Sequence, residues 1–375
     1  MKLNPCFEWL RHPLKAAVFT FLLTKVSIFS LGFIVTFFNE GPSDPLSIVM
    51  RQFCRWDSPH YIDIAENWYV NTGEQRFFIV FLPFYPLLIR LLTFNWQYVN
   101  LSALLVSNFS SAIAAVYLFK LAKLDFDDDV AARAVFYLSI FPTAYFLCAI
   151  YTEGLFLALA IACLYYARLE RWPSAGLLGM LASLTRITGL SLLPALLCEY
   201  FHQRRFRQLK GLGFKLIWPI FPMFGFTEYL FINYQVTGNF FKFMEYQRVN
   251  WYQTFDPLLG LENAWQITVQ AAFPDSFMLG AAQLAFAALG LAGILLGFIL
   301  RLRFSYNAYM FFAWAMSVST GWWISVPRYI LVLFPIFILF GVAGRRKVFN
   351  YTVAPVFLVL LCLFTITFSK GSWAF

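Results

Sequence analysis

The sequence predicts an all-α, polytopic bundle of membrane-spanning helices. Hydrophobic residues make up 61% of the 375 and charged residues only 13%. Soluble domains carry roughly 25% charged residues. The apolar residues also fall in long runs, and one bilayer crossing needs roughly 20 of them. Between those runs the basic residues gather in clusters. Aromatics reach 21%, with 46 Phe, and mean hydropathy is +0.67, which suits helices in lipid with aromatic ends at the interfaces. A net charge of +9 would suggest nucleic acid in a soluble protein. In a membrane chain its placement matters more, so no nucleic-acid partner is expected.

Eleven spans follow from the apolar runs: 16–38, 98–119, 132–150, 154–168, 174–189, 190–201, 214–236, 278–300, 305–323, 327–343 and 349–368. The first follows a polar, basic start, exceeds the apolar region of a signal peptide and has no small-residue cleavage pattern, so it reads as a retained helix. Six clusters lie between spans: Lys2/Arg11/Lys15, Lys120/Lys123/Arg133, Arg168/Arg171, Arg204/Arg205/Arg207/Lys210/Lys215, Arg301/Arg303 and Arg345/Arg346/Lys347. All six then share one side, which the positive-inside rule makes cytoplasmic. The N-terminus falls inside and the C-terminus outside.

The segment 77–92 (FFIVFLPFYPLLIRLL) would flip every later cluster if it crossed. Its Pro83 and Pro86 make it a re-entrant or interfacial segment, where irregular backbone is tolerated beside protein. Two long outer loops, 39–76 and 237–277, remain for the chemistry. No linker or repeat divides the chain, so a single membrane domain covers 1–375. The cysteines (Cys6, Cys54, Cys148, Cys163, Cys198, Cys362) show no CxxC or metal-like spacing and mostly act as small hydrophobes. Asp127-Asp128-Asp129 reads as a solvated turn.

The informative charges are those outside the clusters. In the first outer loop, Arg55-Trp56-Asp57-Ser58-Pro59-His60-Tyr61 leads on to Asp63 and Glu66. One reading is an interfacial amphipathic helix, with Trp56, Tyr61 and Trp68 as belt aromatics and the acids facing water. The other makes Asp57 a general base at the membrane surface, its pKa raised by desolvation or lowered by Arg55. Glu153, in Tyr151-Thr152-Glu153, is either in a short solvated turn or an acid with a task or a partner. Arg186 sits in an apolar stretch and needs an anion, which is either the Glu153 carboxylate or a ligand phosphate. Arg328, in Pro327-Arg328-Tyr329, either snorkels to the interface or, with Arg186, grips a phosphate through its fork geometry. Phe240 to Gln247 and Trp251 in the second loop suit sugar stacking and lipid interfaces equally. No nucleotide loop, HExxH or outer-loop DxD is present, and no metal or cofactor is expected.

Trp56-Asp57 with His60-Tyr61 and Ile64-Ala65, the proline-rich Phe81 to Leu87, Tyr151 to Phe156, Ala182 to Arg186, and Pro327 to Pro335 occur in an order that resembles the phosphatidylinositol-glycan class V mannosyltransferases and their prokaryotic relatives. The resemblance covers most of the chain. It implies a GT-C glycosyltransferase fold, a polyprenyl-phosphate or dolichyl-phosphate sugar donor, typically mannose, and a lipid-linked or glycan acceptor on the extracytoplasmic face. By that resemblance Asp57 falls on the catalytic aspartate and Glu153 on a second acid. Arg186, Arg328, Arg55 and His60 are then expected around the donor phosphate, and Trp56, Tyr151 and Tyr329 around the substrate. The chain departs in being shorter than the eukaryotic enzymes and in carrying Gly154 where Ser is more usual. It looks like a bacterial or archaeal cell-membrane protein (endoplasmic-reticulum membrane in a eukaryote). The alternative is a transporter or flippase of a lipid-linked or anionic solute, which would explain lone arginines but predicts inverted repeats and paired broken helices.

Overall fold

The computed structural model describes residues 12–41, 43–204 and 214–375, with Phe214 described for its backbone alone. The basic residues Lys2, Arg11, Arg205, Arg207 and Lys210, and Cys6, lie outside them. The described residues are 78% helical, and among them the one β-type pairing is an isolated bridge between Phe255 and Thr320.

Helix α1 (Pro13–Glu40) opens on a proline, whose missing N–H is no loss in a first turn. Asp44 caps α2 (Pro45–Gln52) through the Ser47 N–H at 3.0 Å, and α3 (Ser58–Asn67) follows Asp57. A 3₁₀ segment (Glu74–Val80) leads into α4 (Phe84–Leu92) across Pro83. Then come α5 (Val99–Ala122), α6 (Asp128–Ile140), α7 (Glu153–Arg168), α8 (Trp172–Thr185), α9 (Leu192–Gln203) and α10 (Ile217–Thr237). Two short helices, α11 (Lys242–Trp251) and α12 (Pro257–Gln270), fill the second long loop. The chain closes with α13 (Ala282–Ile299), entered through a π turn at Ser276–Ala281, then α14 (Phe304–Ser317), α15 (Val326–Leu331), α16 (Pro335–Ala343) and α17 (Lys347–Ser369).

Among the described residues four segments are long and apolar enough to cross a bilayer unaided: Pro13–Glu40, Trp96–Ala122, Ser276–Ile299 and Lys347–Ser369. The apolar segment with two prolines is a helix pair bent by 110°. Its free carbonyls are taken by tyrosines: Tyr229 donates to Ile79 O at 2.7 Å and Tyr69 to Phe81 O at 2.6 Å.

Several expected spans are broken. The stretch 132–150 is α-helical only to Ile140, with a 3₁₀ turn at Ala144–Leu147, and the α-helix in 174–189 ends at Thr185. In 305–323 the helix stops at Ser317, and 327–343 is interrupted between Leu331 and Pro335. Asp127 is exposed, in keeping with a solvated turn, and also caps α6 by accepting from Val130 N at 2.9 Å. Prolines at Pro142 and Pro335 lack the N–H that a continuous helix needs.

A break inside an apolar bundle strands backbone carbonyls, and these must find partners. For the break after α6 they come mainly from a polar stripe on α5. Ser107 donates to Tyr151 O at 3.0 Å, Asn108 to Cys148 O at 3.0 Å and Ser111 to Leu147 O at 3.2 Å. Lys25, buried in the middle of α1, donates to Leu147 O at 2.6 Å. Ser58 at the start of α3 donates to Ile150 O at 3.1 Å. The break is therefore built into the structure, and it fixes where Tyr151, Thr152 and Glu153 stand. These bonds also bring α5 and α7 so close that a Cβ on Gly154 would lie 2.5 Å from the Ser107 carbonyl oxygen. A serine there meets backbone through its Cβ alone. Gly154→Ser is expected to lose roughly 1–3 kcal/mol through overpacking, read as a lower denaturation midpoint; unchanged stability would mean that the two helices part freely.

Candidate functional site

The four separated charges Asp57, Glu153, Arg186 and Arg328 meet in one network. Glu153 is the first residue of α7 and fully buried. Arg328, on the short α15, is 5% exposed, so it points inward and does not snorkel. Its Nε donates to Glu153 and its Nη1 to Asp57 Oδ2 at 2.8 Å. Arg186 stands where α8 gives way to the 3₁₀ turn Ile187–Ser191. Its Nη1 donates to Thr152 Oγ1 at 2.8 Å and also to Glu153. Two carboxylates and two guanidiniums thus balance in charge, and the turn reading of Glu153 falls away. The pairing of Arg186 with Glu153, one of the two partners open to it, is present.

Aromatic faces enclose the cluster. Arg328 lies 4.4 Å from the Tyr151 ring centroid and 5.0 Å from that of Phe146, while Arg186 lies 5.7 Å from that of Tyr329. Such contacts favour a cation most where water is excluded. The Tyr151 hydroxyl donates to Arg55 O at 3.1 Å and accepts from Asp57 N–H at 3.3 Å, fixing the backbone that carries Asp57. Tyr61 is 4% exposed, so it belongs to this core and not to an interfacial belt.

The network is incomplete. Asp57 accepts through Oδ2, and its side chain remains 26% exposed; Oδ1 has no hydrogen-bond partner among the described residues. Arg186 commits only Nη1, leaving Nε and Nη2 without hydrogen-bond partners among the described residues. Glu153 Oε2, Ser183 Oγ and Thr188 Oγ1 are buried without a hydrogen-bond partner. Buried polar groups are normally satisfied, so a cluster of exceptions needs an explanation. Ser183 and Thr188, flanking Arg186 around the helix break, were not singled out from sequence. An unpaired hydroxyl leaves no mark in a one-dimensional reading.

Three of the other expected residues have side chains apart from this network. Arg55 pairs with Glu40 and donates to Ser369 O at 3.1 Å. His60 packs against Phe78 and Phe81, with ring centroids 4.3 and 5.2 Å away. Trp56, 43% exposed, lies edge-on to Trp373 at 4.9 Å.

The opposite end of α7 provides a contrast; a 16-residue helix is about 24 Å long. There Arg168 makes a fork to Asp125, at 2.6 and 2.7 Å. Glu199 accepts from Arg303 at 2.9 and 2.6 Å, from Ser305 at 2.8 Å and from Gln203 at 2.7 Å. That cluster has the same charge balance, but Glu199 has both oxygens taken.

No protein-family model matches the chain, and no curated protein matches it.

Removing one partner of a buried ion pair strands the other. Arg328→Met is expected to cost about 3–5 kcal/mol, measured by chemical denaturation, with part of the loss recovered when Glu153→Gln is added. His60 gives a pH signature. Burial holds its pKa below the ordinary 6.5, against the opposing pull of Asp57 and Asp63. The unfolded chain therefore takes up the proton first, so stability is full above about pH 6.5. It falls as pH drops from there through the lowered folded value. Melting temperature measured against pH should decline on acidification, and less steeply in His60→Phe; equal slopes would refute the assignment.

Proposed function

We propose that this protein is a membrane glycosyltransferase of the GT-C type, with about eleven spans, that moves a sugar, mannose by the sequence resemblance, from a polyprenyl-phosphate donor to a hydroxyl acceptor. The observation that carries this reading is the convergence of Asp57, Glu153, Arg186 and Arg328, drawn from four distant segments, into one neutral but incomplete network. Ionisable groups inside an apolar bundle are costly and are retained for a task.

Each group has a role in that chemistry. The acceptor hydroxyl attacks the anomeric carbon and gives its proton to Asp57 Oδ1, the oxygen that Arg328 leaves free. The bond from the anomeric carbon to the phosphate oxygen breaks, and polyprenyl phosphate departs with the electron pair. Displacement from the opposite side inverts the centre, so a β-linked donor yields an α-glycoside. Arg186 receives the phosphate on its uncommitted Nε and Nη2 with fork geometry, and stabilises the charge that develops on it. Arg328, already engaged with both carboxylates, holds the base in position. Glu153 anchors both arginines from below. By the placement of basic clusters the site opens on the extracytoplasmic side, at the cell membrane of a bacterium or archaeon.

Purified protein incubated with polyprenyl-phosphate mannose and a glycan acceptor should release polyprenyl phosphate. Asp57→Asn should slow release by roughly 10²–10⁴-fold, the range for a lost general base, while the protein keeps its fold. Near wild-type turnover in that variant, or movement of lipid-linked sugar without bond cleavage, would sink the proposal.

A further inference from the structure

The second long loop carries a helix whose sides the bundle uses unequally. Helix α12 (Pro257–Gln270) is 14 residues long and runs in three registers. Gly260, Ala264 and Thr268, four apart, share one side, and that side packs on the protein. A Cβ on Gly260 would lie 2.1 Å from Thr320 O, and one on Gly280 would lie 2.5 Å from Thr268 Oγ1. Glu262, Gln266 and Gln270 form a second side, exposed and polar, with Gln266 donating to Glu262 at 3.0 Å. Between the two lie Leu261, Trp265 and Val269, with Leu258 one turn before them, and this third side is wholly apolar. Its four side chains are between 47% and 77% exposed, and Phe273 continues the exposure beyond the helix.

We propose that α12 lies flat in the headgroup–acyl boundary of the outer leaflet, its apolar side in lipid and its polar side in water. The proposal rests on the membrane-spanning part of the reading above and not on its chemistry. Three observations choose lipid over a protein partner. First, Thr268 packs on Gly280, near the start of Ser276–Ile299, which is long and apolar enough to cross a bilayer. The apolar side of α12 therefore stands at the level where that span enters lipid. Second, four apolar side chains on a helix about 21 Å long fall well short of a stable protein interface, which takes roughly 20–30 residues a side. Third, an apolar and a polar exposed side next to each other are what a helix needs at a boundary between lipid and water. Tryptophan also suits that depth. The helix contains no Lys or Arg and only one acid, Glu262, so apolar burial seats it and zwitterionic lipid suffices. Seating also bears on the approach to the candidate site. Asn263 donates to Gly321 O at 2.8 Å and Phe255 bridges to Thr320, both in the loop that runs on to α15 and Arg328.

The test places p-benzoylphenylalanine, one position at a time, in the full-length protein in phosphatidylcholine liposomes. It replaces Trp265 or Val269 on the apolar side, Gln266 or Gln270 on the polar side, and Val359 as a control. Val359 is exposed on α17, within one of the four long apolar segments. After irradiation, mass spectrometry reads whether each position has joined to lipid or to protein. Lipid adducts are expected from the Trp265 and Val269 positions in yields like that from Val359, and are expected to be lost from Gln266 and Gln270. Two chains joined through the Trp265 or Val269 position would overturn the proposal in favour of a second copy. Equal lipid yields on the apolar and polar sides would overturn the orientation, and the proposal with it. Adducts from Val359 but none from Trp265 and Val269 would remove α12 from the membrane and leave the spanning helices in it. If Val359 gives none either, the membrane-spanning reading itself falls.

Discussion

Arg328 is the constraint on which the site depends. Its guanidinium reaches Asp57 and Glu153, residues 271 and 175 positions away in sequence, and so ties the loop before α3, the start of α7 and the short α15 to one point. A buried guanidinium without carboxylates would be far too costly, so none of these three segments can drift without exposing a charge. Glu153 is held in turn by Arg186, which adds the break after α8 as a fourth fixed segment.

The two charged clusters, one at each end of α7, show what distinguishes a brace from a site. Around Glu199 both carboxylate oxygens are occupied, with a serine and a glutamine completing what the arginines begin. Such a fully satisfied network rigidifies and leaves nothing over. Around Glu153 one oxygen is orphaned, Asp57 turns a free oxygen toward the opening and Arg186 holds back two donor atoms. Charge balance is the same at both ends. The difference is unused hydrogen-bonding capacity, and that is the property a ligand requires.

The parts of this arrangement that were legible in the sequence are those where rarity forces an inference. Arg186 and Arg328 stand out because a charge in an apolar run must be paired, and Asp57 and Glu153 were the acids within reach. Glu153 was one of two partners open to Arg186, but the pairing of Arg328 with both acids could not be read, because sequence separation carries no distance. The helix breaks were also missed. Ser107, Asn108 and Ser111 look like tolerable polar residues in a span, and only the fold shows that they face the carbonyls of 147–151. Lys25 drew no reading of its own within a long apolar helix, yet it satisfies the same segment. Arg55 and His60 were grouped with Asp57 by adjacency, but Arg55 lies in the irregular chain before α3 and His60 in its first turn, and their side chains point to different sides. One therefore meets Glu40 and the other Phe78.

The breaks themselves carry the strongest physical argument that this end of the bundle does something. Continuous helices satisfy their own backbone and are the cheapest way to fill an apolar layer. Here the chain abandons them after Ile140 and Thr185 and between Leu331 and Pro335, and each break lies beside one of the four charges or its aromatic neighbours. Repairing the first alone takes two serines and an asparagine from α5, Lys25 from α1 and Ser58 from α3. Stability alone gives no reason for so many polar side chains in an apolar core. What the breaks achieve is positional: they turn Glu153, Arg186 and Arg328 inward at one level, where unbroken helices would have carried them past one another. A structure that accepts this cost at one end, and closes the other with a complete network, leaves its unused hydrogen-bonding capacity at the broken end.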